Sequence, residues 1–307
     1  MRIGIVGLGY VGLTLGIVAA DCGFEVFGTE INPAVKIALK NNRAHFHETG
    51  LNELIAEHNG KNFHCVENFP VDKKFDAFII TVGTPLRANS KTPNFDAISS
   101  AVKSIGAAYD GSQLVILRST VSVGTTRKVV MPLLTEISGA ENIFVAMCPE
   151  RTLEGKAIHE LKTLPQIISG NNPQAVEMAR KIFEQITPNI VEAASLEEAE
   201  LAKLYCNTYR DMNFAIGNAF CLAAQSFGVD GNSVIALAND GYIRSNIALP
   251  GFVAGPCLEK DAYLLTNNLP DSDSKNFILT ARRISESLED AVVDWAVQKR
   301  GGYAIRL

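Results

Sequence analysis

The chain has 307 residues, with 28 Lys plus Arg against 33 Asp plus Glu and a net charge of −5. That length favours two domains over one core, and an acidic balance with no basic tract argues against a nucleic-acid partner. No apolar run reaches the roughly 20 residues that span a bilayer, and the opening MRIGIV lacks a signal-peptide layout, so a soluble, cytoplasmic protein without membrane attachment is expected.

RIGIV at the start is β-rich and runs straight into GLGYVG and a small-residue helical stretch, TLGIVAADCG. Gly7, Gly9 and Gly12 therefore stand at GxGxxG spacing in a strand-turn-helix context. The first glycine permits the tight turn, the second lets backbone approach a pyrophosphate, and the third lets helix and strand pack closely. A second strand, EVFGTE, ends at Glu30, where a carboxylate can hold a ribose 2′-OH and would repel a 2′-phosphate. The spacing predicts binding of NAD rather than NADP.

Residues 76–82, 113–120, 142–150, 165–170 and 189–194 read as further strands of one open parallel sheet, with helices near 94–108, 124–136 and 173–186. A doubly wound α/β domain is predicted over 1–194. Polar residues gather where such strands end: Thr84, Ser119, Thr120 and Glu150. These sites suit ligand contacts, and the threonines and serine equally suit helix caps.

Ser195 and Glu198 form a capping box that opens a helix to Phe227, stopped by Gly228. At 1.5 Å per residue it is about 48 Å long, too long for one small domain, and it is predicted to connect domains and to join a homodimer. Lys203, Asn207 and Arg210 share one stripe of it. Either they face solvent, or, among Leu201, Leu204 and Phe214, they need partners. A shorter helix near 230–238 and a loop lead to GPCLEKD. Pro256 suits a first helical turn, which sets Cys257 near the positive end of a helix dipole, where thiols react as thiolates; Glu259 and Asp261 oppose that shift. An inert, half-buried thiol is the alternative. Cys22, Cys65, Cys148, Cys206 and Cys221 lie in apolar elements and read as structural, and no spacing indicates disulfides or zinc. His45 and His47 have no acidic or cysteine cluster beside them, so no metal is assigned.

The order GLGYVG, VGTP, STVSVGTT, CPERTLEG, AELAKLYCNTYRD, PGFVAGPCLEKD resembles the UDP-glucose/GDP-mannose dehydrogenase family over essentially the whole chain. The resemblance implies an N-terminal Rossmann-like sheet, then an all-α central domain over 195–299 with the long connecting helix. It implies oxidation of the C6 alcohol of a nucleotide sugar to the uronate with two NAD⁺, through a cysteine thiohemiacetal and thioester. Cys257 matches the nucleophile, and Lys203 and Asn207 match the pair that binds substrate and steadies the oxyanion. Thr120, Glu150, Glu154 and Asp261 match the residues that organise water and take protons. Gly7, Gly9, Tyr10, Val11, Gly12, Glu30, Thr84, Thr120, Glu154 and Lys260 match cofactor contacts. Glu150, Arg151, Lys203, Asn207, Arg210, Arg244 and Gly251 match substrate contacts, arginine being suited to phosphate. Arg210 is similar to members acting on UDP-N-acetylhexosamines; UDP-glucose remains open.

Three departures stand out. Ala254-Gly255 replaces the usual GG before the cysteine segment, and Asn218-Ala219 replaces an Asn-Glu on the long helix. Family members continue into a third, UDP-binding domain, of which 300–307 reads as the start. Two other readings remain: a 3-hydroxyacid or 6-phosphogluconate type dehydrogenase, which needs no thiol, and an inactive NAD-binding, dimerising remnant.

Overall fold

The computed structural model describes residues 1–253, 255 and 257–299; the expected start of a third domain at 300–307, and the expected helix-opening Pro256, lie outside the described residues. Eight strands are β1 Arg2–Val6, β2 Glu25–Thr29, β3 Phe63–Val66, β4 Ala77–Ile80, β5 Leu114–Leu117, β6 Phe144–Met147, β7 Gln166–Ile168 and β8 Ile190–Glu192. The helices are α1 Tyr10–Asp21, α2 Pro33–Lys40, α3 Leu51–His58, α4 Asp96–Ser104, α5 Met131–Ser138, α6 Ala157–Thr163, α7 Pro173–Phe183, α8 Leu196–Ser226, α9 Gly231–Asn239, α10 Leu258–Thr266 and α11 Asp273–Lys299. Two compact units result: Met1–Arg87 with Pro93–Lys203, and Ala88–Thr92 with the residues from Leu204 onward.

In the first unit, six parallel strands lie in the order β3-β2-β1-β4-β5-β6. All four residues of β4 and of β5 are buried, because helices cover both faces of a parallel sheet. Alternate side chains enter opposite cores: Ile79, Leu114 and Ile116 on one side, Phe78, Ile80, Val115 and Leu117 on the other. The order reverses between β1 and β4, and the glycine turn leaves β1 at that switch point. Thr81 Oγ1 ties the two strand ends by donating to Gly7 O at 2.7 Å.

β7 and β8 depart from the expected single sheet. They pair only with each other, in parallel. The edge of β6 is taken by Asn171 instead. Its side chain accepts from Val145 N–H at 2.9 Å and donates to Ile143 O at 2.9 Å, while its backbone N–H reaches Val145 O at 2.8 Å. One asparagine thus satisfies edge groups that a seventh strand would have paired.

The segment expected as a helix over 124–136 begins with a π-helical turn, Thr126–Val130, and continues as α5. Pro132 lacks the N–H an α-helical turn would use and crowds the carbonyl four residues earlier, so a wider turn precedes it.

α8 matches the sequence pattern to within a residue at each end. Ser195 Oγ accepts from Glu198 N–H at 3.1 Å, and the Glu198 carboxylate takes Ala194 N–H. The second unit comprises α8 from Leu204, with α9, α10 and α11. α11 is a 27-residue helix without a clean apolar stripe: the residues it buries include Ala281, Arg282, Ser285 and Leu288, two of them polar. Among the described residues, no helix is long and apolar enough to cross a membrane.

Candidate active site

In the first unit the site starts at the glycine turn. Gly7 has φ +91°, a conformation that side chains other than hydrogen rarely adopt, and a Cβ on Gly12 would lie 1.9 Å from Gly7 O. A Cβ on Gly9 would meet nothing within 4 Å, so open space fronts the N-terminus of α1. The first turn of α1 has no side-chain cap, which leaves its N–H groups for an anion. Val11, half-buried, lies in that turn. A pyrophosphate fits this cradle.

Glu30, one residue past β2, folds its carboxylate back on the turn. Oε2 accepts from Leu8 N–H at 2.8 Å, and Oε1 from Ile31 and Asn32 N–H at 2.8 and 2.9 Å. These three N–H groups hold a negative charge beside the turn, with acceptor capacity remaining for a hydroxyl.

Tyr10 turns its hydroxyl onto Glu48 Oε2 at 2.7 Å, with Leu153 O at 3.2 Å. Burial, reinforced by the Glu48 carboxylate, drives the Tyr10 pKa far above the ordinary phenol value. The same Glu48 oxygen accepts from Gly155 N–H at 2.7 Å. Glu48 thereby clamps the 150–155 loop against α1. In that loop Glu150 Oε1 accepts from Thr152 N–H, Arg151 Nη2 donates to Pro165 O, and Glu154 is exposed. Behind it, buried Arg118 donates to Cys148 O at 3.1 Å and Gln166 Oε1 at 2.9 Å, while Gln166 Nε2 donates to Pro149 O at 3.1 Å. Two side chains therefore fix the carbonyls that lead into Glu150. Thr84, also buried, donates to Thr120 O at 2.5 Å. Glu200 of α8 takes Gly124 N–H at 2.5 Å, Thr126 N–H at 2.8 Å and Thr126 Oγ1 at 2.6 Å, which anchors the chain beyond Thr120.

In the second unit, Cys257 is the N-cap residue of α10 and is exposed. Its carbonyl accepts from Lys260 and Asp261 N–H at 3.2 and 3.1 Å. Asp261, one turn on and 1% exposed, accepts from Asn207 Nδ2 at 2.6 Å and from Lys260 Nζ at 2.7 Å. Asn207 is itself 5% exposed. Asn207, Lys260 and Asp261 form one cluster beside the thiol-bearing turn. Asn218 grips Gly251 on both sides, accepting from its N–H at 2.8 Å and donating to its carbonyl at 3.1 Å.

Lys203, one helical turn before Asn207, is 7% exposed, and among the described residues its ammonium has no hydrogen-bond or ion-pair partner. Arg210, expected on the same stripe, is exposed: the stripe is covered at Lys203 and Asn207 and open at Arg210. Arg244 is exposed too, its guanidinium 4.9 Å from the Tyr242 ring centroid.

The thiols differ in chemistry. Burial pushes the Cys148 pKa up to about 12 and raises those of Cys22 and Cys65 as well. Cys206, expected in an apolar setting, is exposed on α8, because its position falls on the helix face bearing Tyr205 and Tyr209.

Glu48, Arg118, Glu200 and Arg282 escape a reading of the sequence. The only local hint is that Glu200 precedes Lys203 on a helix with little room for solvated charge.

Residues 1–187 match the NAD binding domain, and residues 197–286 the central domain, of the UDP-glucose/GDP-mannose dehydrogenase family. A UDP-N-acetyl-D-mannosamine dehydrogenase of Pyrococcus horikoshii is 34% identical over 292 residues, covering 94% of this chain and 69% of the relative. One from Methanococcus maripaludis is 32% identical over 292 residues, covering 94% of this chain and 65% of the relative. The chain thus spans about two thirds of the length of these relatives. The solved structure of the Pyrococcus horikoshii UDP-D-ManNAc dehydrogenase superposes with a TM-score of 0.87 at 32% identity, covering 98% of this chain and 72% of that one.

Proposed function

Since the chain belongs to the UDP-glucose/GDP-mannose dehydrogenase family, we propose that it is a nucleotide-sugar 6-dehydrogenase acting on a UDP-N-acetylhexosamine through its NAD-binding and central domains. The observation that carries this reading is the Asn207–Asp261–Lys260 cluster one turn from an exposed Cys257. The names of the relatives favour UDP-N-acetylmannosamine within that class.

NAD⁺, when bound, accepts a hydride in each of two successive oxidations. Gly9 and the first turn of α1 hold its pyrophosphate, and Glu30 accepts from a ribose hydroxyl. Thr84, Thr120 and the 150–155 loop line the same end of the sheet. Asn207 Nδ2 and the ammonium of Lys203 favour negative charge on the substrate's C6 oxygen as the alcohol proton leaves. The Cys257 sulfur then adds to the aldehyde carbon, forming a C–S bond and a thiohemiacetal oxygen that takes the proton. After the second oxidation the carbon remains on Cys257 as a thioester. Water, deprotonated by the Asp261 carboxylate, displaces the sulfur and releases the uronate and the thiol. Arg210 and Arg244, both exposed, suit the diphosphate.

We further propose a homodimer through α8. Tyr205, Tyr209, Ile216 and Phe220 leave 42–70% of their surface exposed along one helix, an apolar stripe of the kind that partners cover. The deciding experiment follows NADH formation by the purified chain against UDP- and GDP-sugars. Two NADH per uronate from a UDP-N-acetylhexosamine supports the proposal; one NADH from a 3-hydroxyacid, unaffected by Cys257→Ser, would replace it.

A further inference from the structure

Arg282 of α11 is 1% exposed, and its guanidinium spans three groups. Nη1 donates to Asp211 Oδ1 at 2.7 Å and to Leu258 O at 3.2 Å, and Nη2 donates to Val253 O at 3.4 Å. Val253 stands four residues before Cys257 and Leu258 one after it. The guanidinium therefore holds the backbone on both sides of the thiol. Its anchor, Asp211, lies one turn after Asn207 on α8, and Asn207 in turn binds Asp261, four residues after Cys257. Two consecutive turns of one helix thus fix the thiol-bearing segment, one through the arginine and one through the amide.

Stability alone does not account for this ion pair. Replacing a buried pair by apolar residues of similar volume is commonly neutral or favourable. Here the pair is also incompletely satisfied: among the described residues, Arg282 Nε and Asp211 Oδ2 are buried without a hydrogen-bond partner, and Glu286 Oε1 approaches Nε only to 3.8 Å. What the arginine does that an apolar residue cannot is to donate, from one rigid plane, to two carbonyls, those of Val253 and Leu258. We propose that Arg282, anchored by Asp211, is the positioning residue that holds Cys257 in register with Asn207 and Asp261. This rests on Cys257 being the reacting thiol of the proposed dehydrogenase.

The test compares wild type, Arg282→Lys and the apolar pair Asp211→Leu/Arg282→Met. Alkylation by iodoacetamide is followed separately at Cys257 and Cys206, both exposed, by peptide mass spectrometry. The expected result is faster alkylation of Cys257 in the apolar pair, by about fivefold for each hydrogen bond lost, with Cys206 unchanged. Arg282→Lys, which keeps the cation but not the fork, should fall between. An unchanged Cys257 rate in a folded pair variant would overturn the proposal, as would equal acceleration at both cysteines, the sign of general loosening. Hydrogen exchange of the wild type decides the matter if the variants do not fold: the amides of Lys260 and Asp261 should exchange as slowly as the interior of α10, and exchange at loop rates would overturn the tether. Alkylation does not require turnover. Loss of the nucleophile reading, shown by a fully active Cys257→Ser, is therefore distinguishable from loss of the positioning role.

Discussion

Asn207 Nδ2 lies 2.6 Å from Asp261 Oδ2, a hydrogen bond between α8 and α10 in which both side chains are buried. The bond orients the amide: with Nδ2 donating to the carboxylate, Oδ1 faces the other way. It also leaves Asp261 with two donors, Asn207 and Lys260, so its charge is compensated on both oxygens.

Asp261→Ala should cost about 1–3 kcal/mol in urea unfolding, because it strands the Asn207 amide in a dry site. Asp261→Asn, which keeps the shape, should recover part of that stability but little NADH production. Equal stability of wild type and Asp261→Ala would mean that the bond does not hold in solution.

Cys257→Ser should retain cofactor affinity and yet fail to complete the second oxidation, because a serine alkoxide is far harder to form near neutral pH than a thiolate. In limiting iodoacetamide at neutral pH, Cys257 should label well before Cys148, whose thiol burial pushes up to about 12. Uronate formation by the serine variant at the wild-type rate would make Cys257 a structural residue.

Calorimetry should find NADP⁺ binding at least about tenfold weaker than NAD⁺, the equivalent of one modest like-charge repulsion at Glu30. Glu30→Gln should narrow that gap. It should also lower stability, since Leu8, Ile31 and Asn32 N–H lose a charged acceptor. Equal affinities in the wild type would remove Glu30 from the cofactor site.

Burial raises the Glu200 pKa above its ordinary 4.5, against the pull of Thr126 and Gly124. A folded-state pKa above the unfolded one contributes stability that is complete below about pH 4.5 and is lost as pH rises through the folded value. Glu200→Gln carries no such charge, so its stability relative to wild type should improve steadily from about pH 4.5 upward. Urea titrations at a series of pH values measure this. Parallel curves would show that Glu200 titrates in the folded protein as it does in the unfolded chain.

Light scattering at micromolar concentration should give a dimer, and charges placed on the α8 stripe, as in Tyr209→Glu with Phe220→Glu, should give a folded monomer whose stability no longer depends on protein concentration. A monomeric wild type would show that the stripe has another use.

The glycine turn, the parallel strands β1, β2, β4, β5 and β6, and the span of α8 were legible in the residues themselves. Each depends on interactions within a few positions: Gly7 and Gly12 on local backbone geometry, β4 on an unbroken apolar run, α8 on Ser195 and Glu198 at its start. The separate pairing of β7 and β8 was not legible, because it turns on how Asn171 meets the edge of β6 across 26 residues. Nor was α11, since the face it buries includes Arg282 and Ser285, which break the hydrophobic period.

Sequence by itself determined the kinds of groups available and which of them a helix or turn would place together: a thiol at the head of α10, an acid four residues on, and a lysine and an amide one turn apart. Tertiary structure alone decided which charges are buried and whom they meet. Glu48 clamps Gly155 across 107 residues, Asn207 reaches Asp261 across 54 and Arg282 reaches Asp211 across 71. A charged residue carries no mark of its own burial. Whether Lys203 is covered while Arg210, on the same stripe, is exposed depends on what packs against the helix at each point along it, and that is settled only when the chain has folded.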